Sequence, residues 1–199
     1  MSSTAARTRV AVLISGRGSN MSALLAASAQ PDYPAEIIGV ISNRADAAGL
    51  DVAKAAGIAT AVIPHRDFVS RAAFDSALDR QLRAWNPELV ALAGFMRLLT
   101  FEFTESWRGR MINIHPALLP EFKGLDTHRR AIEGGAKIHG CTVHFVTPGM
   151  DEGPIIAQAE VPVLPDDTPE SLGARVLREE HRIYPQALAR VARGEFTLP

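Results

Sequence analysis

The sequence predicts an α/β fold whose mostly parallel sheet is extended by antiparallel strands in the C-terminal half. In the first half, short and almost wholly apolar runs alternate with amphipathic stretches, which is typical of parallel strands buried on both faces. In the second half, two strand-like runs at 138–146 and 154–163 are joined by the short segment 147–153. That segment cannot hold a crossover helix, so these two strands are predicted to be antiparallel neighbours.

The first half divides into repeated strand–turn–helix units. The predicted strands are the short apolar runs at 10–14, 37–41, 59–63, 89–93 and 110–114. The predicted helices are the amphipathic stretches at 19–29, 45–56 and 67–85. Gly57 closes the second helix and Pro87 stops the third.

The last helix has clear start and stop signals. Thr168 and Pro169 supply an N-cap and a proline at the first helical position. The helix is predicted to run to Arg193, with Gly194 beyond it, and Pro185 is predicted to kink it.

Composition narrows the possible classes of protein. The chain has 199 residues, 47% of them hydrophobic, and a net charge of −1, so no basic field is available to hold nucleic acid or an anionic membrane. The single cysteine, Cys141, rules out an internal disulfide and fits a reducing compartment. Residues 1–8 lack the apolar core of a secretory signal and are interpreted as a flexible tail. The longest apolar run, 89–96, is too short to cross a membrane, so a cytoplasmic location is predicted.

The glycine-containing turn 15–20 follows the first strand and opens the first helix. Its glycines allow a tight turn, and free N–H groups at a helix start attract a phosphate. A turn needed only for packing is one alternative. A dinucleotide site is another, but Met21 stands where the third glycine of that fingerprint belongs. The second strand also ends in Ser42-Asn43-Arg44, without the acidic residue that would hold a ribose. The pattern favours a monophosphate held by Gly18, Ser19 and Asn20.

Asn113 and His115 lie at the end of the fifth strand. Because they are two residues apart, their side chains point to the same side of an extended strand. An amide N–H and an imidazolium N–H aimed at one point would form an oxyanion site. The alternative for a strand-end histidine is a structural hydrogen bond.

Asp151 lies in the glycine-rich turn between the two C-terminal strands. A turn aspartate beside glycine is commonly structural. The functional interpretation pairs it with His115, because a nearby carboxylate favours the imidazolium form. Spacing does not establish that pair. His139 and His144 flank Cys141, but their spacing matches no standard metal motif.

Together these stretches form an ordered series of motifs. The series is Gly16-x-Gly18-Ser19-Asn20, Ala93-Gly94-Phe95-Met96-Arg97, Asn113-Ile114-His115-Pro116-x-Leu118-Leu119-Pro120, Gly124-x-x-x-His128, His139-Gly140-x-Thr142-Val143-His144, Asp151-x-Gly153-Pro154 and Glu180-His181-x-x-Tyr184-Pro185. It resembles the glycinamide ribonucleotide formyltransferase family of folate-dependent enzymes, from about residue 9 to about residue 194.

The resemblance implies a three-layer, Rossmann-like formyltransferase fold in a single domain, 1–199. Within it, 9–114 would form a nucleotide-binding-like half and 115–199 the folate and catalytic half. The implied reaction moves a formyl group from 10-formyltetrahydrofolate to the amine of glycinamide ribonucleotide in purine synthesis, without a metal. The implied partners are these small molecules, not nucleic acid or membrane, and the chain would act as a monomer or homodimer.

The resemblance also implies site residues. Asn113, His115 and Asp151 take the catalytic positions. The ribonucleotide would meet Gly18, Ser19, Asn20, Leu177, Arg178, Glu179 and Glu180, with Glu180 near its amine. The folate would meet Arg71, Met96, Arg97, Leu98, Leu99, Asn113, Thr147, Pro148, Gly149, Met150 and Asp151.

Related activities remain alternatives. A formyltetrahydrofolate deformylase would pass the formyl group to water, and we expect it to carry an additional N-terminal regulatory domain. A methionyl-tRNA formyltransferase would carry an additional C-terminal domain and more basic charge. A non-catalytic nucleotide-binding module, or a reductase that uses the glycine turn, is the alternative from another class.

Overall fold

A computed structural model describes residues 6–198 of the chain, and in that range one seven-stranded sheet runs in the order β3-β2-β1-β4-β5-β6-β7. The strands are β1 Thr8–Ile14, β2 Ala35–Ser42, β3 Ala59–Val62, β4 Leu89–Leu92, β5 Met111–His115, β6 Ile138–Phe145 and β7 Ile155–Pro162. The helices are α1 Ser19–Ser28, α2 Gly49–Ala55, α3 Arg71–Trp85, α4 Phe101–Ser106, α5 Thr127–Glu133 and α6 Pro169–Ala192. β1 to β5 are parallel, while β6 and β7 are antiparallel, as predicted.

The sheet separates two apolar cores and forms the middle of three layers. In β1, Val10 and Val12 face one core, whereas Ala11 and Leu13 face the other, because successive side chains point to opposite faces. The first core contains buried residues of α1, α2, α5 and α6. The second contains buried residues of α3 and α4. Burial on both faces explains why these strands are continuous apolar runs.

Two predicted helix starts are wrong. α2 begins at Gly49 instead of residue 45, and the Gly49 N–H donates to the carbonyl of Gly16 at 3.0 Å. That close approach fixes the start of α2 against the turn after β1. α3 begins at Arg71 instead of residue 67, because Ser70 is extended and its hydroxyl accepts the Ala73 N–H as an N-cap. Residues 65–67 form a short 3₁₀ turn instead.

The sequence interpretation missed α4 and α5. Each has fewer than two full turns, so neither shows a sustained apolar period. Thr100 caps α4 by accepting the Phe103 N–H, a signal that was present in the sequence. α5 starts from Asp126, which has a left-handed backbone and makes no side-chain cap bond.

The last helix follows its predicted signals. Thr168 and Ser171 form a reciprocal capping box, and Pro169 takes the first turn. α6 ends at Ala192, with Gly194 at φ 73°, and it continues through Pro185. The predicted kink at Pro185 stays a prediction.

The first strand begins earlier than predicted. Thr8 already belongs to β1, and the Arg7 guanidinium donates to the carbonyls of Ser28 and Ala35. Residues 1–5 of the predicted tail lie outside the described range. No helix between residues 6 and 198 is long and apolar enough to cross a membrane.

Candidate active site

β5 and β6 carry a row of polar side chains into a common site. Asn113 and His115 lie on β5, and Asn113 is paired in register with His144 on the antiparallel neighbour β6. His115 and His144 are both buried, with side chains 6% and 3% exposed. Such burial strengthens any electrostatic interaction among these groups, because water does not screen it.

Asp151 reaches this cluster from the loop between β6 and β7. Its Oδ2 lies 3.5 Å from Nδ1 of His115, and its Oδ1 lies 3.7 Å from Nε2 of His144. Oδ2 also accepts the backbone N–H of Gly124 at 2.9 Å. Asp151 has a left-handed backbone, φ 53°, which aspartate and asparagine tolerate better than other side chains. The sequence spacing did not establish the pair of His115 and Asp151, and in the structure their side chains lie within contact distance.

A close backbone approach shapes that loop. A side chain at Gly153 would place its Cβ only 1.7 Å from the carbonyl oxygen of Phe145. Only glycine fits there, so the loop can fold tightly against the end of β6. Lys123 and Glu152 add an ion pair at 2.8 Å between the Asp151 loop and the loop after β5.

His115 has an acceptor at each ring nitrogen. Nδ1 faces the Asp151 carboxylate at 3.5 Å, and Nε2 lies 3.0 Å from the carbonyl oxygen of Phe122. An imidazolium, with two N–H donors, satisfies both acceptors at once. The surroundings of His115 therefore match a positively charged ring.

His144 has the opposite character. Burial lowers its pKa, and the nearby His115 lowers it further, against the opposing effects of the Phe145 carbonyl and Asp151. Its Nδ1 donates to the Phe145 carbonyl at 2.9 Å, which leaves Nε2 as an acceptor for the Asn113 amide at 3.3 Å. A neutral His144 thus orients Asn113, and sequence reasoning missed this because the register of β5 against β6 is a tertiary feature.

The cluster offers two hydrogen-bond donors, Asn113 and His115, beside the negative charge of Asp151. One N–H of the Asn113 amide is used by His144, and the amide group retains its second N–H. The Asp151 carboxylate lies beside the His115 ring, whose N–H is the second donor of the cluster. This arrangement is suited to stabilising an oxyanion that develops between Asn113 and His115.

The glycine turn lies two strands away along the same sheet edge. β1 and β5 are parallel and both flank β4, so their carboxyl ends are separated by about 10 Å. Gly18 stands before α1 with φ 73°, and α1 has no side-chain cap on its first N–H groups. These donors are suited to an anion, and the phosphate site at the turn stays a prediction.

The side chain of Asn20 contacts α6, and its predicted role at the phosphate stays a prediction. Its side-chain amide donates to Oε2 of Glu180 at 2.7 Å, so that amide is directed at a carboxylate. Burial raises the pKa of Glu180, although the bond from Asn20 opposes this. Glu180 is 6% exposed, and α1 and α6 bring it beside the glycine turn.

The predicted ribonucleotide residues on α6 differ in exposure according to their position around the helix. Glu180 is buried, Leu177 is half-buried and Arg178 is exposed. Glu179 pairs with Arg182 at 2.6 Å on the surface of α6. The structure therefore brings only Glu180 of the 177–180 stretch into contact with the glycine turn through Asn20.

The predicted folate residues lie on three segments, namely the start of α3, the segment 96–99 and the loop between β6 and β7. Met96 and Leu98 are exposed, 66% and 54%, while Arg97 and Leu99 are half-buried. Arg71 is exposed at the first position of α3. The Asp151 loop contributes a stretch of mixed exposure: Thr147, Pro148, Gly149 and Met150.

A second histidine pair lies behind the cluster. Nδ1 of His128 lies 3.1 Å from Nε2 of His139, and burial lowers the pKa of His139 to about 4. Between residues 6 and 198, no group of three or more His, Cys, Asp or Glu side chains is arranged to hold a metal ion.

Comparison with known proteins identifies the family. Residues 8–188 match the formyl transferase family. The chain belongs to that family. The matched range contains every element of the cluster and of the glycine turn.

Named relatives share most of the chain. It is 44% identical over 189 residues to the phosphoribosylglycinamide formyltransferase of Escherichia coli, covering 95% of this chain and 89% of that protein. It is 50% identical over 192 residues to the trifunctional purine biosynthetic protein adenosine-3 of Bos taurus; this covers 96% of the chain but only 19% of that longer protein. The solved phosphoribosylglycinamide formyltransferase of Brucella melitensis has a TM-score of 0.90 and 53% identity, covering 94% of this chain and 96% of that one.

Proposed function

We propose that this chain transfers a formyl group from 10-formyltetrahydrofolate to the amine of glycinamide ribonucleotide, a step of purine synthesis. The observation that carries the proposal is the Asp151–His115 contact of 3.5 Å beside Asn113, in a chain of the formyl transferase family. The relatives named phosphoribosylglycinamide formyltransferase support the choice of the acceptor amine.

The proposed reaction is direct transfer. The neutral amine attacks the formyl carbon, and the formyl oxygen gains negative charge in the tetrahedral intermediate. Asn113 and the protonated ring of His115 donate to that oxygen, while Asp151 stabilises the ring's charge. The bond from the formyl carbon to the folate nitrogen then breaks, and the proton lost by the amine replaces the formyl group on that nitrogen.

The glycine turn and Glu180 are proposed to hold the ribonucleotide. The uncapped N–H groups at the start of α1 would bind its phosphate. Glu180, held by Asn20, would accept a hydrogen bond from the amine end. The phosphate turn and the cluster lie about 10 Å apart on one sheet edge, a distance that a phosphoribosyl group can span. Binding both substrates in one cleft supplies much of the acceleration, because the reaction becomes effectively unimolecular.

The folate is proposed to lie against Arg71, Met96–Leu99 and Thr147–Asp151. These segments expose both apolar and cationic side chains, and the last of them contains Asp151. We also propose a cytoplasmic setting, supported by the single, buried Cys141, and a monomer or homodimer as the working form. The continuous sheet supports one domain over the described residues.

A coupled assay tests the activity. Purified protein is mixed with 10-formyltetrahydrofolate and glycinamide ribonucleotide, separately and together, and release of tetrahydrofolate is followed. We expect release only when both are present. Release with folate alone would instead identify a deformylase, and no release, with tight NADPH binding, would identify a nucleotide-binding protein of another class.

A further inference from the structure

The segment 96–99 has no regular secondary structure, yet side chains from elsewhere hold both of its ends. The Met96 N–H donates to Oγ of Ser15 at 2.8 Å. Just beyond the other end, the Thr100 N–H donates to Oδ2 of Asp75 at 2.6 Å. β1 and α3 thus fix the backbone of a segment that carries two exposed apolar side chains, Met96 and Leu98.

Ser15 is itself fixed by a line of hydrogen bonds across the sheet edge. Its hydroxyl donates to Oδ1 of Asn43 at 2.6 Å, so a lone pair of Oγ is left for the Met96 N–H. The Asn43 amide continues the line to Nδ1 of His65 at 3.0 Å. Ser15 and Asn43 are buried, 7% and 3% exposed, so each bond is protected from water.

Asp75 is the buried acceptor at the other end. It is 3% exposed and lies one helical turn after Arg71 on α3. Its Oδ1 is buried and has no hydrogen-bond partner. Burial raises its pKa, whereas the Thr100 bonds and the charges of Arg71 and Arg97 lower it. Asp75 therefore holds the end of the segment by its bond to Thr100, and the charges of Arg71 and Arg97 act on its carboxylate.

We propose that Ser15 and Asp75 are positioning residues for the formyl donor: they hold the 96–99 backbone in the shape that the donor contacts. The inference rests on the proposed function and adds residues that do not themselves touch the reacting atoms. Losing either hydrogen bond would let the segment move, and affinity for the donor would fall before affinity for the ribonucleotide.

Asp79 provides a matched control on the same helix. Its Oδ1 accepts the Trp107 Nε1–H at 2.9 Å, a side-chain bond comparable to that of Asp75, but this bond does not involve the 96–99 segment. Asp79 also pairs with Arg83 on the same helix. Asp79→Ala therefore reports what the loss of side-chain contacts made by α3 does to stability when the 96–99 segment is not involved. Asp75→Asn retains an acceptor oxygen for the Thr100 N–H and serves as the conservative variant.

The test compares Ser15→Ala, Asp75→Ala, Asp75→Asn and Asp79→Ala in the assay above, with thermal unfolding of each. We expect a rise of about five- to tenfold in KM for the donor for Ser15→Ala and Asp75→Ala, the size expected for one hydrogen bond. KM for the ribonucleotide should stay within about twofold in Asp75→Ala, and Asp75→Asn should recover most of the loss. Equal rises in both KM values, or the same donor effect in Asp79→Ala, would overturn the proposal.

Direct titration with a folate analogue keeps the inference separate from the activity. If the wild-type protein binds the analogue but transfers no formyl group, the proposed function fails while the positioning claim is still tested by the Kd of each variant. If Asp75→Ala does not fold, Ser15→Ala carries the test. Unchanged analogue affinity in Ser15→Ala would then contradict the proposal.

Discussion

The two histidines beside Asp151 lie in the same buried cluster but have different hydrogen-bond surroundings. His115 faces an acceptor at each ring nitrogen, whereas burial lowers the pKa of His144. One carboxylate can therefore support one imidazolium, while the second ring serves as an acceptor for Asn113. This division of roles depends on single contacts, and residue-scale experiments can separate them.

His144→Leu should lower kcat by about tenfold because the Asn113 amide loses the acceptor that orients it. The KM values for both substrates should change little, since neither is proposed to touch His144. Steady-state kinetics with each substrate varied in turn checks this expectation. A wild-type kcat would show that Asn113 needs no such partner.

Glu180→Gln should raise KM for the ribonucleotide by about 10- to 100-fold because a charge-assisted bond to the amine end is lost. Since the pKa of Glu180 is raised, the wild-type KM should fall as pH rises through that pKa and the carboxylate ionises. The variant should lose this pH dependence. Glu170→Gln changes an exposed position on the same helix and is the control. If KM for the ribonucleotide depended on pH in the same way in both variants, the assignment would be contradicted.

At the scale of the elements, the turn before α1 combines a backbone requirement with a proposed binding role. Gly18 has φ 73°, and a Cβ there would lie 3.0 Å from Cα of Gly49. α2 packs against this turn through the bond from the Gly49 N–H to the Gly16 carbonyl. The phosphate turn is therefore shaped by contacts between two helices as well as by its own sequence.

Gly18→Ala should lower the free energy of unfolding by about 1–2 kcal/mol, because alanine disfavours the left-handed backbone, and should raise KM for the ribonucleotide. Gly194→Ala is the matched control, since it has the same φ with open space around it. Urea unfolding and kinetics on both variants separate strain from function. A normal KM in Gly18→Ala would remove the turn from the phosphate site.

The strands and the long helices were predictable from the sequence, and the short helices α4 and α5 were not. Apolar runs fixed all seven strands to within a few residues, and the Thr168 and Pro169 signals fixed α6. The starts of α2 and α3 were misplaced because Gly49 packs on Gly16 and Ser70 provides a cap. Such contacts between elements override local pattern.

At the scale of the whole molecule, the buried histidines link folding to acidity. The pKa of His139 falls from its ordinary 6.5 to about 4 because of burial and the neighbouring His128. Above pH 6.5 the ring is neutral in both the folded and the unfolded chain. As pH falls from 6.5 to about 4, the unfolded chain takes up the proton first, and stability is lost.

The free energy of unfolding should therefore fall by up to about 1.4 kcal/mol per pH unit from this group alone. His139→Asn should lose less stability than the wild-type protein between pH 7 and pH 5, whatever its stability at pH 7. Urea unfolding at both pH values gives the comparison. An identical loss in the two proteins would assign the acid sensitivity elsewhere.

Contacts between distant parts of the chain explain which site residues could be identified from the sequence. Asn113, His115 and Asp151 were identified from the sequence as suitable residue types in suitable positions. The prediction that His115 and Asp151 pair rested on the resemblance, because these residues meet only through the folding of the β6–β7 loop. His144 was missed because it joins the site through strand register. Asn20 was correctly placed near the turn, but its amide proved to hold Glu180.

The most direct test of the central claim is the single-turnover rate of formyl transfer by Asp151→Asn, with folate-analogue affinity measured on the same sample. Asparagine tolerates the left-handed backbone at 151 and removes only the charge beside His115. We predict a rate lower by about 10²–10³-fold with analogue affinity within about twofold of wild type. Transfer at the wild-type rate would contradict the account.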